Sequence, residues 1–354
     1  MNTLALNIFE LIDRLEGSRS LEHSEFVRLL SDDISPDEAL YLQHRARFVT
    51  DRIFGRNVRI RGLIEITNVC RNDCLYCGLR KSNSSLRRYT LTVGEILSCC
   101  RLGYEAGFRT FVLQGGENPG LTADRIVETI SAIHKEFADC AITLSLGEWS
   151  DNDLSLFREA GAARYLLRHE TINSAHYSRL HPAEMSRDNR LRCLWTLKRL
   201  GYQTGTGIMV GSPFQTVSNI AEDLLFMKEL QPEMIGIGPF IPHSATPFAG
   251  HNAGNLDLTL RLISILRLMF PCANIPATTA LHTLHPQGRD RGLLAGANVV
   301  MPNLSPTGIR KQYSLYDNKK SFGAESAEGL AKLASQLEKI NLFITTERGD
   351  YKNV

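Results

Sequence analysis

Residues 59–80 read RIRGLIEITNVCRNDCLYCGLR. The first nine, Arg59–Thr67, form a β-rich run, and three cysteines follow directly in a C-x3-C-x2-C spacing: Cys70, Cys74 and Cys77. A strand that ends in a cluster of metal-binding side chains is informative about the fold. In parallel α/β barrels the chemistry sits on the loops at the C-terminal ends of the strands. The reading therefore turns on whether similar units follow.

They do. Downstream of Arg59–Thr67, β-rich runs recur at Thr110–Gly116, Ala141–Gly147, Arg164–Glu170, Gln203–Gly211, Glu233–Phe240, Ile275–Ala280 and Val299–Asn303. Between most of them lie stretches with helical apolar spacing, such as Asn219–Leu230 and Leu256–Phe270. Leu91–Ala106 opens on Thr92-Val93-Gly94-Glu95, a capping box in which Thr and Glu each satisfy the other's backbone N–H. Eight strands with helical crossovers predict an α/β fold: a complete (β/α)8 TIM-type barrel over residues 58–354, closed by a helix near Ala327–Ile340. Upstream, residues 1–57 read as a helical extension packed on the barrel. Within it, Ser35-Pro36-Asp37-Glu38 combines a Ser cap, Pro at the first helical position and a Glu that completes a capping box.

The wider composition narrows the function classes. Of 354 residues 43% are hydrophobic and 22% charged, the balance of a globular protein, and the net charge of +2 gives no general nucleic-acid surface. No run of about 18 apolar residues marks a membrane span, and the early acids of the N-terminal stretch argue against a signal peptide, so a cytoplasmic location is expected. Eight cysteines in a chain of this length do not make a disulfide scaffold. Five are scattered in apolar segments, where free cysteine packs as a small hydrophobe. The three in one eight-residue window need a chemical reason.

Zinc sites usually complete four ligands with a second cysteine pair or histidines, and ordinary ferredoxin clusters take four thiolates. Three thiolates on one loop leave one iron of a cubane open. A zinc knuckle or a chance cluster is the bland alternative. Other polar residues fall where strands are expected to end: Gly115-Gly116-Glu117 on the second, Ser145 on the third, Arg168 and Glu170 on the fourth, Thr278 and Thr279 in the seventh. Strand alternation places Arg164, Leu166, Arg168 and Glu170 on one face. Unpaired buried charge is costly, so that face implies a polar ligand or an internal Arg–Glu pair. Thr143 and Ser145 likewise share a face of the third strand.

The cysteine spacing resembles that of the radical S-adenosylmethionine (SAM) superfamily. The resemblance implies one [4Fe–4S] cluster whose open iron is chelated by the methionine end of SAM. Reductive cleavage of the S–C5′ bond then yields a 5′-deoxyadenosyl radical. Tyr76 would pack near the adenine, and Gly115, Gly116 and Glu117 would resemble the element that receives the SAM ammonium. Gly205-Thr206-Gly207-Ile208-Met209-Val210-Gly211 is similar to the fifth-strand glycine element of the superfamily. Further stretches, LSLGEW at 144–149, RYLLRHET at 164–171, GIGPFIPH at 236–243, IPATTA at 275–280 and VVMPN at 299–303, resemble the HydE family of [FeFe]-hydrogenase maturases over nearly the whole chain. That resemblance implies SAM contacts at Ser145, Glu170 and Arg190, and substrate contacts at Thr143, Arg164, Arg168, Thr278, Thr279, Met301, Tyr313 and Tyr316. It also implies a small organometallic iron–cysteine substrate, companion maturases, a flavodoxin- or ferredoxin-like electron donor, and no nucleic-acid or membrane partner. Methylornithine synthase, a carbon-skeleton mutase, is the alternative with the same scaffold, and a non-catalytic iron–sulfur carrier is the alternative from another class. Two features depart from the family pattern. No cysteine follows Cys272, which implies a single cluster, and Asn118-Pro119 replaces the usual charged residue after Gly-Gly-Glu. Arg348-Gly349-Asp350 matches an adhesion tripeptide and is expected to be coincidental.

Overall fold

A computed structural model describes residues 6–352. The expected N-terminal helix begins at Ile8, and residues 1–5 of that stretch lie outside the described ones. The elements run α1 Ile8–Ser18, α2 His23–Leu30, α3 Pro36–Phe54, β1 Asn57–Ile60, β2 Gly62–Thr67, α4 Val93–Glu105, β3 Thr110–Gly115, α5 Ala123–Glu136, β4 Ala141–Ser145, α6 Asp151–Glu159, β5 Ala162–Leu166, α7 Ser174–Leu180 and α8 Arg187–Arg199. They continue with β6 Gln203–Thr206, β7 Met209–Val210, α9 Val217–Leu230, β8 Met234–Ile235, β9 Gly238–Pro239, α10 Leu256–Met269, α11 Thr279–Leu284, α12 Gly288–Leu294, β10 Val299–Val300, α13 Leu330–Glu338 and β11 Phe343–Thr345. Both predicted capping boxes form. Ser35 and Glu38, and Thr92 and Glu95, exchange backbone-to-side-chain bonds of 2.8–3.3 Å that satisfy N–H groups no helical turn can reach.

The regular sheet is six parallel strands wide, in the order β2-β3-β4-β5-β6-β8. The expected eight strands are not all reproduced as ladders. The first run breaks at Arg61, so that β1 pairs with β10 and β11 while β2 pairs with β3. The seventh run holds only single bridges, and Thr279 opens α11 instead of continuing a strand. Single parallel bridges do run on from both edges: Met234 to Asn274, Pro276 to Val299, and Asn303 to Leu63. The N-terminal helices cover the outside of this arrangement, α3 against α10 and α2 against α9.

Registered partners in a parallel sheet point to the same face. One row across the sheet is Glu65, Gln114 and Ser145; the row below it is Leu63, Val112, Thr143, Arg164 and Gln203. Arg164 therefore faces inward, as alternation predicts, but its role differs from the substrate contact expected of it. It is fully buried toward the N-terminal ends of the strands. There it donates to Gln203 Oε1 at 3.1 Å, Thr110 Oγ1 at 2.9 Å, the Arg348 carbonyl at 3.0 Å and Asp350 Oδ1 at 2.7 Å. Every acceptor is internal, so no ligand is needed to pay for its burial. Arg348-Gly349-Asp350 thus has a structural use: it clasps the floor of the sheet. Deleting residues 348–354 is expected to lower stability by about 3–5 kcal/mol, because it strands a buried cation. A urea midpoint reads this loss, and Asp350→Asn, which keeps an acceptor, should lose clearly less.

Candidate active site

The loop after β2 is built by side chains that satisfy its backbone. Asn68 Nδ2 donates to the Arg87 and Gln312 carbonyls at 3.0 and 2.9 Å, and its Oδ1 accepts from Tyr89 N. Arg88 donates to four carbonyls, those of Asn68, Leu79, Arg80 and Asn83, at 2.6–3.0 Å. Asp73 accepts from Arg80 at 2.6 and 2.8 Å, which holds its carboxyl well below the usual range. The loop is then tied outward: Arg71 N to the Glu117 carbonyl, Leu75 N to that of Leu180, and Gly78 N to that of Leu315, at 2.8–3.0 Å. Gly116 is required beneath it. A Cβ there would stand 2.4 Å from the Val69 carbonyl oxygen and 2.8 Å from Cys70 Cβ.

Cys70, Cys74 and Cys77 are free and half-buried on this loop. Burial raises the Cys70 thiol pKa, and backbone N–H groups of Asn72 and Glu117 aimed at the sulfur oppose the rise. Burial pushes Cys77 up to about 12 and Cys74 well above its ordinary value, so a metal must displace their protons. Among the described residues no three His, Cys, Asp or Glu side chains converge on one ion. In a cubane each of three such thiolates would bind a separate iron. Backbone donors directed at the sulfurs are a further feature that iron–sulfur sites use. The remaining cysteines stand elsewhere: Cys99, Cys100, Cys140 and Cys193 are buried in the core, and Cys272 lies between α10 and the seventh run.

An acidic and basic network faces this loop. Glu117, at the end of β3, pairs with Arg71 at 3.1 Å and lies 3.9 Å from Arg190. Arg190, on the first turn of α8, pairs with Glu148 at 2.9 Å and donates to the Arg168 carbonyl at 3.0 Å. Burial works against its charge, yet the facing Glu148, Tyr177, Tyr76 and Glu117 hold its pKa above the ordinary value. Gly147 has φ +78°, and a Cβ there would fall 2.0 Å from Glu117 Cγ, so only glycine admits the carboxylate. Arg168 and Glu170 pair at 2.8 Å. They lie beyond β5, where strand alternation no longer applies, and Glu170 holds a left-handed φ of +63°. Behind them His169, fully buried, contacts Thr206 Oγ1 at 2.8 Å and Asp223 at 3.3 Å, which fixes the turn. Asn118, which replaces a charge, donates to Thr67 and Thr90 hydroxyls at 3.2 and 2.9 Å.

Tyr76 stands edge-on to His181, which stacks on Tyr177. His181 Nδ1 lies 3.1 Å from the Tyr177 carbonyl, which can only accept, so Nδ1 carries the proton and Nε2 accepts from the Tyr76 hydroxyl at 3.2 Å. Burial lowers the His181 pKa to about 3. Between that value and about 6.5 the unfolded chain binds one proton more than the folded one. This contribution to stability is therefore fully present above the unfolded pKa and is lost at about 1.4 kcal/mol per pH unit as pH falls. Urea unfolding at pH 7 and pH 5 should show native protein losing about 2 kcal/mol more than His181→Gln.

The expected substrate residues are less uniformly placed. Thr143 and Thr278 hydroxyls are buried without a hydrogen-bond partner among the described residues, the state expected where a ligand or water completes the bond. Thr279 instead donates to Glu325 at 3.2 Å. Tyr313 is buried and accepts from Gln114 Nε2 at 3.2 Å; Tyr316 is half-buried and bonded to Thr283; Met301 follows β10. Sequence reasoning puts Glu148 at the end of the third strand without a partner, and it missed His181 and a buried ion pair, Glu65 with Lys319 at 2.6 Å, to which Asn303 adds a bond of 2.9 Å. A fully apolar-flanked Glu65 inside a predicted inner strand was the available signal. Two surface clefts of about 230 and 530 Å³ open around Cys272. They contain none of the site residues and lie at the opposite, N-terminal ends of the strands.

The radical SAM superfamily model matches residues 64–227, which hold the cysteine loop, Glu117, Glu170 and Arg190. The [FeFe] hydrogenase maturase subunit HydE of Thermotoga maritima is 47% identical over 305 residues, 84% of this chain and 86% of that protein. The chain belongs to the HydE family of radical SAM enzymes. The 3-methylornithine synthase of Methanosarcina barkeri is more distant, 31% identical over 89% of each chain. The crystal structure of a methylornithine synthase superposes with a TM-score of 0.84 at 28% identity, covering 95% of this chain and 97% of that one. As a radical SAM enzyme, this HydE-family chain uses a [4Fe–4S] cluster and SAM. Among the described residues no helix is long and apolar enough to cross a membrane.

Proposed function

We propose that this chain is a maturase that assembles the two-iron subcluster of [FeFe]-hydrogenase, acting in the cytoplasm on an organometallic iron–cysteine precursor alongside companion maturases. The observation that carries the reading is the convergence, on one rim, of three free thiols with Glu117, Glu148, Glu170 and Arg190. In this reading Cys70, Cys74 and Cys77 hold a single cluster. When bound, the cluster supplies the electron that cleaves SAM and releases the 5′-deoxyadenosyl radical. Glu117 receives the SAM ammonium, Tyr76 packs on the adenine, and Glu170, Ser145 and Arg190 hold the rest of the cofactor. Arg168, Thr143, Thr278, Met301, Tyr313 and Tyr316 face the substrate. Their placement supports closure of the sheet into a complete (β/α)8 barrel of residues 58–354, with residues 1–57 as a helical extension. Such an enclosure would exclude water from the radical.

In vitro maturation of apo-hydrogenase tests the reading: activity should appear with this protein and be lost when it is omitted. Equal activity in both removes it. The close superposition on methylornithine synthase favours a second reading, a carbon-skeleton mutase. Reduced enzyme given lysine and SAM would then yield methylornithine, and none is expected here.

A further inference from the structure

Charge on this chain is unevenly distributed. Residues 71–88, the segment that carries two of the cysteines and follows the third, hold five basic side chains against one acidic, a net +4, in a chain whose whole net is +2. Two of the five are spent inside the loop: Arg80 on Asp73, and Arg88 on backbone carbonyls. Arg71 turns to Glu117. Lys81 and Arg87 are exposed, and among the described residues no carboxylate pairs with either. Lys311, likewise exposed and unpaired, joins them from the C-terminal segment.

Backbone bonds bring these three cations to the cysteine loop. Lys81 N donates to the Asn72 carbonyl at 2.9 Å, between Cys70 and Cys74. Asn68, two residues before Cys70, bonds both the Arg87 carbonyl and that of Gln312, the neighbour of Lys311. The segments that carry the three exposed cations are therefore bonded directly to the cysteine loop and to the strand end before it. None of the three is spent on a carboxylate among the described residues, so their charge is free to meet an acidic partner beside the loop that carries the cysteines.

We propose that Lys81, Arg87 and Lys311 form the docking collar for an acidic one-electron carrier protein. The proposal rests on the radical SAM reading of the site and adds to it the surface through which the electron arrives. One electron leaves the reduced carrier and enters the cluster; the carrier is oxidised by one electron, the cluster is reduced by one, and no covalent bond forms or breaks. Opposite charge steers such an encounter and orients it, and salt screens it.

The test uses cluster-reconstituted protein and a purified acidic flavodoxin as probe. Binding is followed by calorimetry at low and high ionic strength, and 5′-deoxyadenosine release is followed with either flavodoxin or dithionite as reductant. The triple variant Lys81→Glu/Arg87→Glu/Lys311→Glu is expected to weaken flavodoxin binding at low salt by at least about tenfold, with the difference shrinking at high salt. Flavodoxin-driven release should fall with it, while dithionite-driven release stays at the native level. The triple Gln variant should lie between, and it serves as the scored variant where the Glu form fails to take up its cluster. Unchanged binding at low salt, or weakening that persists undiminished at high salt, overturns the collar. Absence of dithionite-driven release from the native protein would instead overturn the radical SAM reading of the site, and leaves the binding result to decide the collar on its own.

Discussion

Cys74→Ala is expected to reduce 5′-deoxyadenosine release by more than about 10³-fold, because the cofactor carries chemistry that no side chain replaces. The argument is one of donor number. Three thiols stand on one loop, with the remaining cysteines held in the core or at the far ends of the strands. Removing one leaves two sulfur ligands, with no spare thiol to take its place. The loop itself should survive, because its shape depends on Asn68, Arg88 and Asp73 rather than on the sulfurs. Iron content and the visible absorbance of the reconstituted protein should therefore fall, while the thermal midpoint of the metal-free chain stays near native. Cys272→Ala is the matched control and should keep both cluster and activity. Full cluster content in Cys74→Ala, with native release, would sink the three-thiolate assignment.

What the sequence disclosed, and what it hid, divides along the range of the interactions. The capping boxes at Ser35 and Thr92 were legible because both partners lie within one turn. The cysteine loop was legible because its chemistry is concentrated in eight residues. Fourth-strand alternation was extrapolated too far. The ladder ends at Leu166, and the chain then turns through the left-handed Glu170, held there by contacts remote in sequence, among them Glu170 N to the Gly207 carbonyl and His169 to Thr206 and Asp223. Arg164 was placed on the correct face, but its partners come from Thr110 and from Asp350, 186 positions further on, and no local pattern announces them. The seventh strand failed for a related reason. Ile275–Ala280 has the composition of a strand, yet Thr278 serves as the N-cap position of α11 and the run contributes bridges alone. The Arg190–Glu148 pair joins two stretches that had each been singled out, and only the fold shows that they meet.

Arg190→Leu is expected to destabilise the protein by about 3–5 kcal/mol and to weaken SAM binding, and the two losses should be separable. Arg190 is buried at the junction of Glu148, Glu117 and the Arg168 carbonyl. Without it Glu148, which also accepts from Asn189, keeps its charge in a largely buried position with its Oε1 unpartnered. The double variant Arg190→Leu/Glu148→Leu removes both charges together. Replacing a buried pair by apolar groups of similar size is near neutral, so its urea midpoint should return close to native. SAM binding, measured by calorimetry on the reconstituted protein, should remain weak in both variants, because Arg190 also carries the Arg168 turn and faces Glu117. Recovery of SAM affinity in the double variant would show that Arg190 serves only to neutralise Glu148.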